Sequence, residues 1–117
     1  MQSERTVSRQ SVSANAMSAV EYLPATGAAI TVIPAATTTM RVFKSTSRPV
    51  DIAADLADST LTYANLIAGT QPTKSRWLLW SSGAVTVDTW QSPSQSEGDV
   101  AIIATSTTST GVIEVAF

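Results

Sequence analysis

The sequence predicts a single, mainly β domain that folds as an antiparallel β-sandwich or a small barrel. The first observation behind this prediction is the stretch Ser75–Phe117, which contains all three tryptophans of the chain. Segments rich in Ser, Thr, Gly and Pro divide it into short apolar runs, a pattern typical of a β-meander. These runs are Arg76–Trp80, Ala84–Trp90, Val100–Thr105 and Val112–Phe117.

The second observation is a pair of predicted strands earlier in the chain. Ala28–Ile33 is a short apolar run that ends at a proline. Thr38–Lys44 alternates, with Met40 and Val42 on one side and Phe43 on the other, as expected of a strand with two different faces. The spacer Pro-Ala-Ala-Thr between the two runs favours a hairpin.

The third observation concerns the apolar runs in the second half of the chain and one loop that connects two of them. Val100–Thr105 is apolar on both sides, which predicts a central strand covered on both faces. The three-residue segment Ser81–Gly83 predicts a hairpin loop, because glycine suits its third, left-handed position. That register places Trp77 and Leu79 on the core face and Trp80 on the opposite face, whereas a two-residue turn exchanges the two tryptophans.

The segment Ser47–Gly69 is ambiguous, and we favour one short helix there. Pro49 suits the first turn of a helix, and Ile52 and Leu56 have the i, i+4 spacing of one helix face. Ser59 is a candidate cap for a second short helix. The rival interpretation is a pair of short strands, over Pro49–Ile52 and residues 61–63.

The N-terminal segment differs in composition from the rest of the chain. Met1–Ser18 is polar and Ser-rich, with only Val7, Val12 and Met17 as loosely spaced apolar residues. Such a segment is disordered alone and orders when it docks on a partner. We therefore divide the chain into an N-terminal arm with its connector (1–27) and a β domain (28–117).

Composition excludes several classes of function. Charged residues make up 14% of the chain and the formal net charge is −2, against about 25% charged residues in ordinary globular proteins. No basic patch suggests a nucleic-acid partner. Because the chain contains no His and no Cys, it cannot form triads or metal sites that depend on imidazole or thiolate. No secretory signal, membrane span, catalytic motif or cofactor motif is present.

Two groups of residues remain as candidate sites. Asp51, Asp55 and Asp58 have helical spacing, and we interpret them as a solvated helix face rather than a Ca²⁺ site. Trp80 and Trp90 fit ordinary packing, a subunit interface or a sugar-stacking platform. The chain ends on Phe117, which predicts a last strand that is tucked into a sheet or an interface.

In style, the chain resembles the small structural proteins of tailed-phage virions, in particular capsid decoration (cement) proteins and head-fibre bases. The segments that carry this resemblance are MQSERTVSRQSVSANAMS, TGAAITVIPAATTTMRVF and the terminal GVIEVAF. The resemblance implies a symmetric oligomer, often a trimer, that reinforces a capsid or tail lattice without catalysis. It also implies localisation in the virion after synthesis in the host cytoplasm.

We therefore expect a non-enzymatic virion subunit without cofactors, whose partners are its own copies and a major capsid or other virion protein. The residues expected at its contacts are Val7, Val12, Met17, Trp80, Trp90 and Phe117. Three alternatives remain open. One is a carbohydrate-binding module that uses Trp80, Trp90 and Asp88, another is a tail or connector subunit, and the third is an enzyme that uses the aspartates Asp51, Asp55 or Asp58.

Overall fold

The computed structural model describes residues 6–24, 28–35, 38–70, 77–80, 90–91 (backbone only) and 100–117. The strands are β1 (Val7–Val12), β2 (Ala16–Met17), β3 (Glu21–Tyr22), β4 (Ala29–Ile33), β5 (Met40–Ser45), β6 (Leu78–Leu79), β7 (Trp90–Gln91), β8 (Ala101–Ser106) and β9 (Gly111–Ala116). The helices are α1 (Pro49–Ala57) and α2 (Tyr63–Ala68). None of the helices in these described ranges is long and apolar enough to cross a membrane.

The described strands form two antiparallel sheets. Sheet A has the order β1-β9-β4-β7. In sheet B, β2 and β3 both pair with β8, which is followed by β5 and β6. A single cluster of buried side chains from both sheets lies between them, so the prediction of a mainly β, antiparallel sandwich is confirmed. The cluster comprises Val12, Ala28, Ile30, Val32, Met40, Val42, Ile102, Ala104, Ile113 and Val115.

A second buried cluster lies on the other side of sheet B, beneath the two helices. It comprises Phe43, Ile52, Leu61, Leu66, Trp77, Ala101 and Ile103. The layers therefore follow one another as sheet A, sheet B and helices. Strand β8 lies in the middle layer and all of its residues are buried, which confirms the expectation that this strand is covered on both faces. The predicted alternation of β5 is confirmed as well, because Met40 and Val42 belong to the first cluster and Phe43 to the second.

The ambiguous segment forms two helices rather than one, and the rival strands are absent from it. Pro49 opens α1 as predicted. The buried face of α1 consists of Ile52 and Asp55, whereas Leu56, expected on that face, is 43% exposed. Helix α2 is capped by Thr62 and not by the predicted Ser59.

The predicted meander is wrong, and so is the hairpin predicted between Ala28–Ile33 and Thr38–Lys44. β4 pairs with β9 and β7, whereas β5 pairs with β8 and β6, so these two consecutive strands belong to different sheets. β8 and β9 are likewise separated between sheets B and A. The physical reason is that β4 and β9 each have one buried, apolar face, and placing β5 and β8 in the opposite layer gives those faces an apolar surface to pack against. The Ser81–Gly83 loop lies outside the described residues.

The segment that was expected to form an arm contributes to both sheets of its own chain. β1 pairs with β9 along its whole length, and β2 and β3 pair with β8. Asn15, with φ of 53°, lies in the turn that takes the chain from sheet A to sheet B. A polar edge strand of this kind is stable because its main contribution is the backbone ladder, which does not depend on apolar side chains.

Candidate interaction surface

The outer face of sheet A points away from both buried clusters. Because side chains alternate along a strand, this face comprises Val7, Arg9, Ser11, Ala29, Thr31, Ile33, Val112, Glu114 and Ala116, all of them exposed or half-buried. Among these described residues the only charges are those of Arg9 and Glu114, which are cross-strand neighbours and form an ion pair. The remaining residues are apolar or carry a hydroxyl, so the face has few charges to keep another surface away.

Among the strands of the described residues, β1 is one edge of sheet A. Thr6 and Phe117 exchange two backbone hydrogen bonds, at 2.8 and 2.9 Å. In an antiparallel ladder such reciprocal pairs alternate with non-hydrogen-bonded pairs. The backbone N–H and C=O groups of Val7, Arg9 and Ser11 therefore point away from β9, and no hydrogen bond to them is found within the chain as described.

A polar network fixes the inner side of β1 to β3. Ser8 Oγ donates a hydrogen bond to Glu21 Oε1 at 2.8 Å, and Gln10 Nε2 donates to the same oxygen at 2.9 Å. The backbone N–H of Ala19 donates to Gln10 Oε1 at 3.1 Å. The carboxylate thus accepts two hydrogen bonds at the corner between the sheets and holds β1 in place.

The structure does not bring the predicted contact residues together. Val12 is fully buried between the sheets, so its predicted role in arm docking is wrong. Met17 is half-buried against the second cluster. Val7, at 57% exposure, and Phe117, at 43%, remain accessible at neighbouring positions of the β1–β9 ladder.

The two candidate tryptophans also lie apart from one another. Trp80 is half-buried against the first cluster, and Lys44 Nζ lies 5.0 Å from the centroid of its ring. This packing leaves Trp80 poorly placed to stack on a sugar. Trp90 pairs with Val32 in sheet A, and its side chain lies outside the described residues, as does Asp88.

The three aspartates do not form a site. Asp51 receives a hydrogen bond from Arg48, whereas Asp55 is buried and its Oδ2 has no hydrogen-bond partner. Hydrogen bonds from the backbone and side chain of Thr60 lower the pKa of the exposed Asp58. Among the described residues, no group of three or more acidic, His or Cys side chains could hold a metal ion. The interpretation of all three as a solvated face is wrong for Asp55, which faces the interior.

A shallow groove of about 310 Å³ lies between the end of α2 and strands β5 and β6. Its floor includes Phe43 and Trp77, and Leu78 and Leu79 line its rim. Leu79 was predicted on the core face but is 48% exposed. The reason is that β6 pairs with β5 only through its two residues and lies at the margin of sheet B.

Sequence reasoning missed Arg9 and Ser11 as surface-forming residues and missed the open edge of β1. The available signal was the complementary charge of Arg9 and Glu114, but nothing local indicates that residues so far apart in the chain are neighbours. The chain matches no family model, no curated protein and no solved structure. The fold and the surfaces described above are therefore the basis for a functional proposal.

Proposed function

We propose that this chain is a non-enzymatic structural subunit that functions in an assembly containing several of its own copies. The observation that carries the proposal is the outer face of sheet A, whose described residues are exposed or half-buried and place apolar and hydroxyl side chains around the Arg9–Glu114 ion pair. Contiguous low-charge surfaces of this kind are typical of contact sites.

The charge distribution supports the same proposal. Arg9 and Glu114 neutralise each other across the strand pair. Covering the face with another copy therefore buries no net charge and avoids the largest desolvation cost. The apolar side chains on either side of the pair, such as Val7 and Val112, then gain from losing their contact with water.

The more specific proposal concerns the assembly in which the subunit works. On the strength of its resemblance in style to decoration proteins and head-fibre bases of tailed phages, we assign it to a virion, where it binds and reinforces a capsid lattice. The partner beyond its own copies is then a major capsid protein or another virion protein. Because residues 7–22 belong to the sheets, the proposed contact surface is the folded domain rather than an arm.

The experiment that tests the proposal compares two exposed valines. Val7, on the outer face, is 57% exposed, and Val50, on α1, is 63% exposed. Sedimentation velocity should show oligomers of the wild-type protein at micromolar concentration. Val7→Asp should weaken association by at least about tenfold, which corresponds to about 1.4 kcal/mol, because it places a charge in the contact. Val50→Asp should associate like the wild type.

A wild-type protein that remains monomeric up to high micromolar concentration would contradict the proposal. Equal effects of the two valine substitutions would contradict the assignment of the contact to sheet A. For the virion assignment, the protein should co-purify with capsid shells at a fixed stoichiometry. Recovery of the native protein only in the fraction free of shells would count against that assignment.

A further inference from the structure

The open edge of β1 is the feature of the surface whose hydrogen-bonding capacity is most clearly defined. Val7, Arg9 and Ser11 each direct one N–H and one C=O away from β9, as the reciprocal Thr6–Phe117 pair establishes. A proline or a β-bulge commonly blocks pairing at a sheet edge. β1 contains no proline, and its residues follow the β9 register without a bulge.

We propose that two copies of the chain join through β1, which pairs antiparallel with β1 of the second copy so that Arg9 faces Ser11 across the dyad. This inference rests on the proposed function and adds a contact at the edge of sheet A to the one proposed on its outer face. Joining the two edges makes one continuous sheet from sheet A of both copies.

The edge is already held in the geometry that pairing requires. The side chains of Ser8 and Gln10 are fixed on the inner side by Glu21, at 2.8 and 2.9 Å. On the outer side, Arg9 is held by its ion pair with Glu114. Little conformational freedom is then lost when a second strand adds to the edge, which favours association.

Backbone direction limits the possible registers. Because Val7, Arg9 and Ser11 direct their backbone groups outward, hydrogen-bonded pairs across the two copies must join odd-numbered positions of β1 to odd-numbered positions of the second copy. Two registers pair all but one residue of the strand. One of them sets Arg9 opposite Arg9, and the other sets Arg9 opposite Ser11.

Charge decides between these two registers. Like charges directly opposite each other in a ladder are destabilising, which disfavours Arg9 opposite Arg9. In the other register the hydroxyl of Ser11 lies opposite the guanidinium, and each Arg9 keeps its own Glu114 as a neighbour. A second copy is therefore a complementary occupant of the edge in one register only.

Disulfide trapping tests both the edge and the register, since the native chain contains no cysteine. Arg9→Cys and a mass-tagged Ser11→Cys are prepared separately, mixed under reducing conditions to exchange subunits, and then oxidised. Residues opposite each other in hydrogen-bonded pairs have Cα atoms about 5.5 Å apart, within disulfide range. The mixture should give at least fivefold more covalent heterodimer than the exposed control Val50→Cys gives homodimer.

A mixture of Val7→Cys with Ser11→Cys keeps Arg9 in both copies and should stay at the level of that control. Its cross-linking above the control level would overturn the proposal, because Val7 faces Ser11 only in the register that sets Arg9 opposite Arg9. The wild-type protein could be an oligomer by sedimentation while the mixture of Arg9→Cys with Ser11→Cys cross-links no better than the control. That result would overturn the edge contact and leave the proposed function standing. A monomeric wild-type protein would overturn both.

Ser11→Pro provides an independent readout. The N–H of Ser11 points away from β9, so proline there removes a donor to the second copy without removing one from the β1–β9 ladder. We expect a folded variant, judged by an unfolding transition like that of the wild type, whose association is at least tenfold weaker. A folded Ser11→Pro variant that associates like the wild type would overturn the proposal.

Discussion

Gly111, at the start of β9, is packed so closely that the effect of a single added methyl group can be worked out. A Cβ atom at this position would lie 2.2 Å from Met40 Sδ and 2.9 Å from Met40 Cε, whereas favourable contacts begin near 3.5 Å. The methionine sulfur would have to move by about 1.3 Å to restore that separation. Met40 is fully buried, so the movement has to take place inside a packed core.

Two opposing contributions determine the net effect of Gly111→Ala. Overpacking a core costs about 1–3 kcal/mol, and replacing glycine within a strand recovers about 0.5–1 kcal/mol of backbone entropy. We therefore expect Gly111→Ala to lower the free energy of unfolding by up to about 2.5 kcal/mol. In a Met40→Ala background the obstructing atoms are gone, and the same change should raise stability by about 0.5–1 kcal/mol.

The assay is a double-mutant cycle measured by urea denaturation. Met40→Ala alone should cost about 2–5 kcal/mol, because it leaves a cavity between the sheets. The decisive result is the difference between the Gly111→Ala effects in the two backgrounds. If the two changes are additive, the close packing of Met40 against Gly111 is refuted.

Three further predictions concern the helical layer. Asp55→Ala should raise the free energy of unfolding by about 1 kcal/mol in urea melts, because the buried carboxylate has an oxygen without a hydrogen-bond partner; a loss of stability would show that the carboxylate makes a stabilising contact. Thr62→Ala should lower the free energy of unfolding by about 1 kcal/mol, the usual value of a lost helix cap. The control Ser59→Ala should be neutral in the same melts. Equal effects of the two substitutions would contradict the capping assignment. The pKa of Asp58 is lowered by hydrogen bonds from Thr60, so this carboxylate stabilises the fold above its unfolded pKa and loses that contribution as pH falls through the lower folded pKa. When the pH falls below about 4, the melting temperature of Asp58→Asn should therefore fall less than that of the wild type. An equal fall in both proteins would count against this assignment.

The face that each strand buries was predictable where the strand has an apolar pattern of its own. Met40 and Val42 were placed on one side of β5 and Phe43 on the other, and the two buried clusters divide them in that way. The arm was mispredicted because β1 consists mainly of polar residues and contributes one side chain, that of Val12, to the buried cluster between the sheets. Its place in sheet A depends on backbone hydrogen bonds to β9, and backbone groups are the same in every sequence.

The candidate surface was predictable only in part. Val7 and Phe117 were predicted as contact residues; both are exposed in this chain, and their contacts stay a prediction. Arg9 and Glu114 were not, because their proximity results from pairing between the first and last strands of the chain. Asp55 was misassigned because helical spacing places it one turn from Asp51 and Asp58 but does not specify which side of α1 faces the sheet.

The amino-acid sequence by itself determined the mainly β class, the division of the β5 side chains between two faces and the double burial of β8, because side-chain alternation along a strand is a local property. Only the tertiary structure decided which strands are neighbours, that residues 7–22 belong to the two sheets, and that β1 leaves an open edge. The reason is physical: alternation specifies the face on which a residue lies, whereas the neighbour of a strand is selected by the packing of two apolar layers and by backbone groups that carry no sequence information.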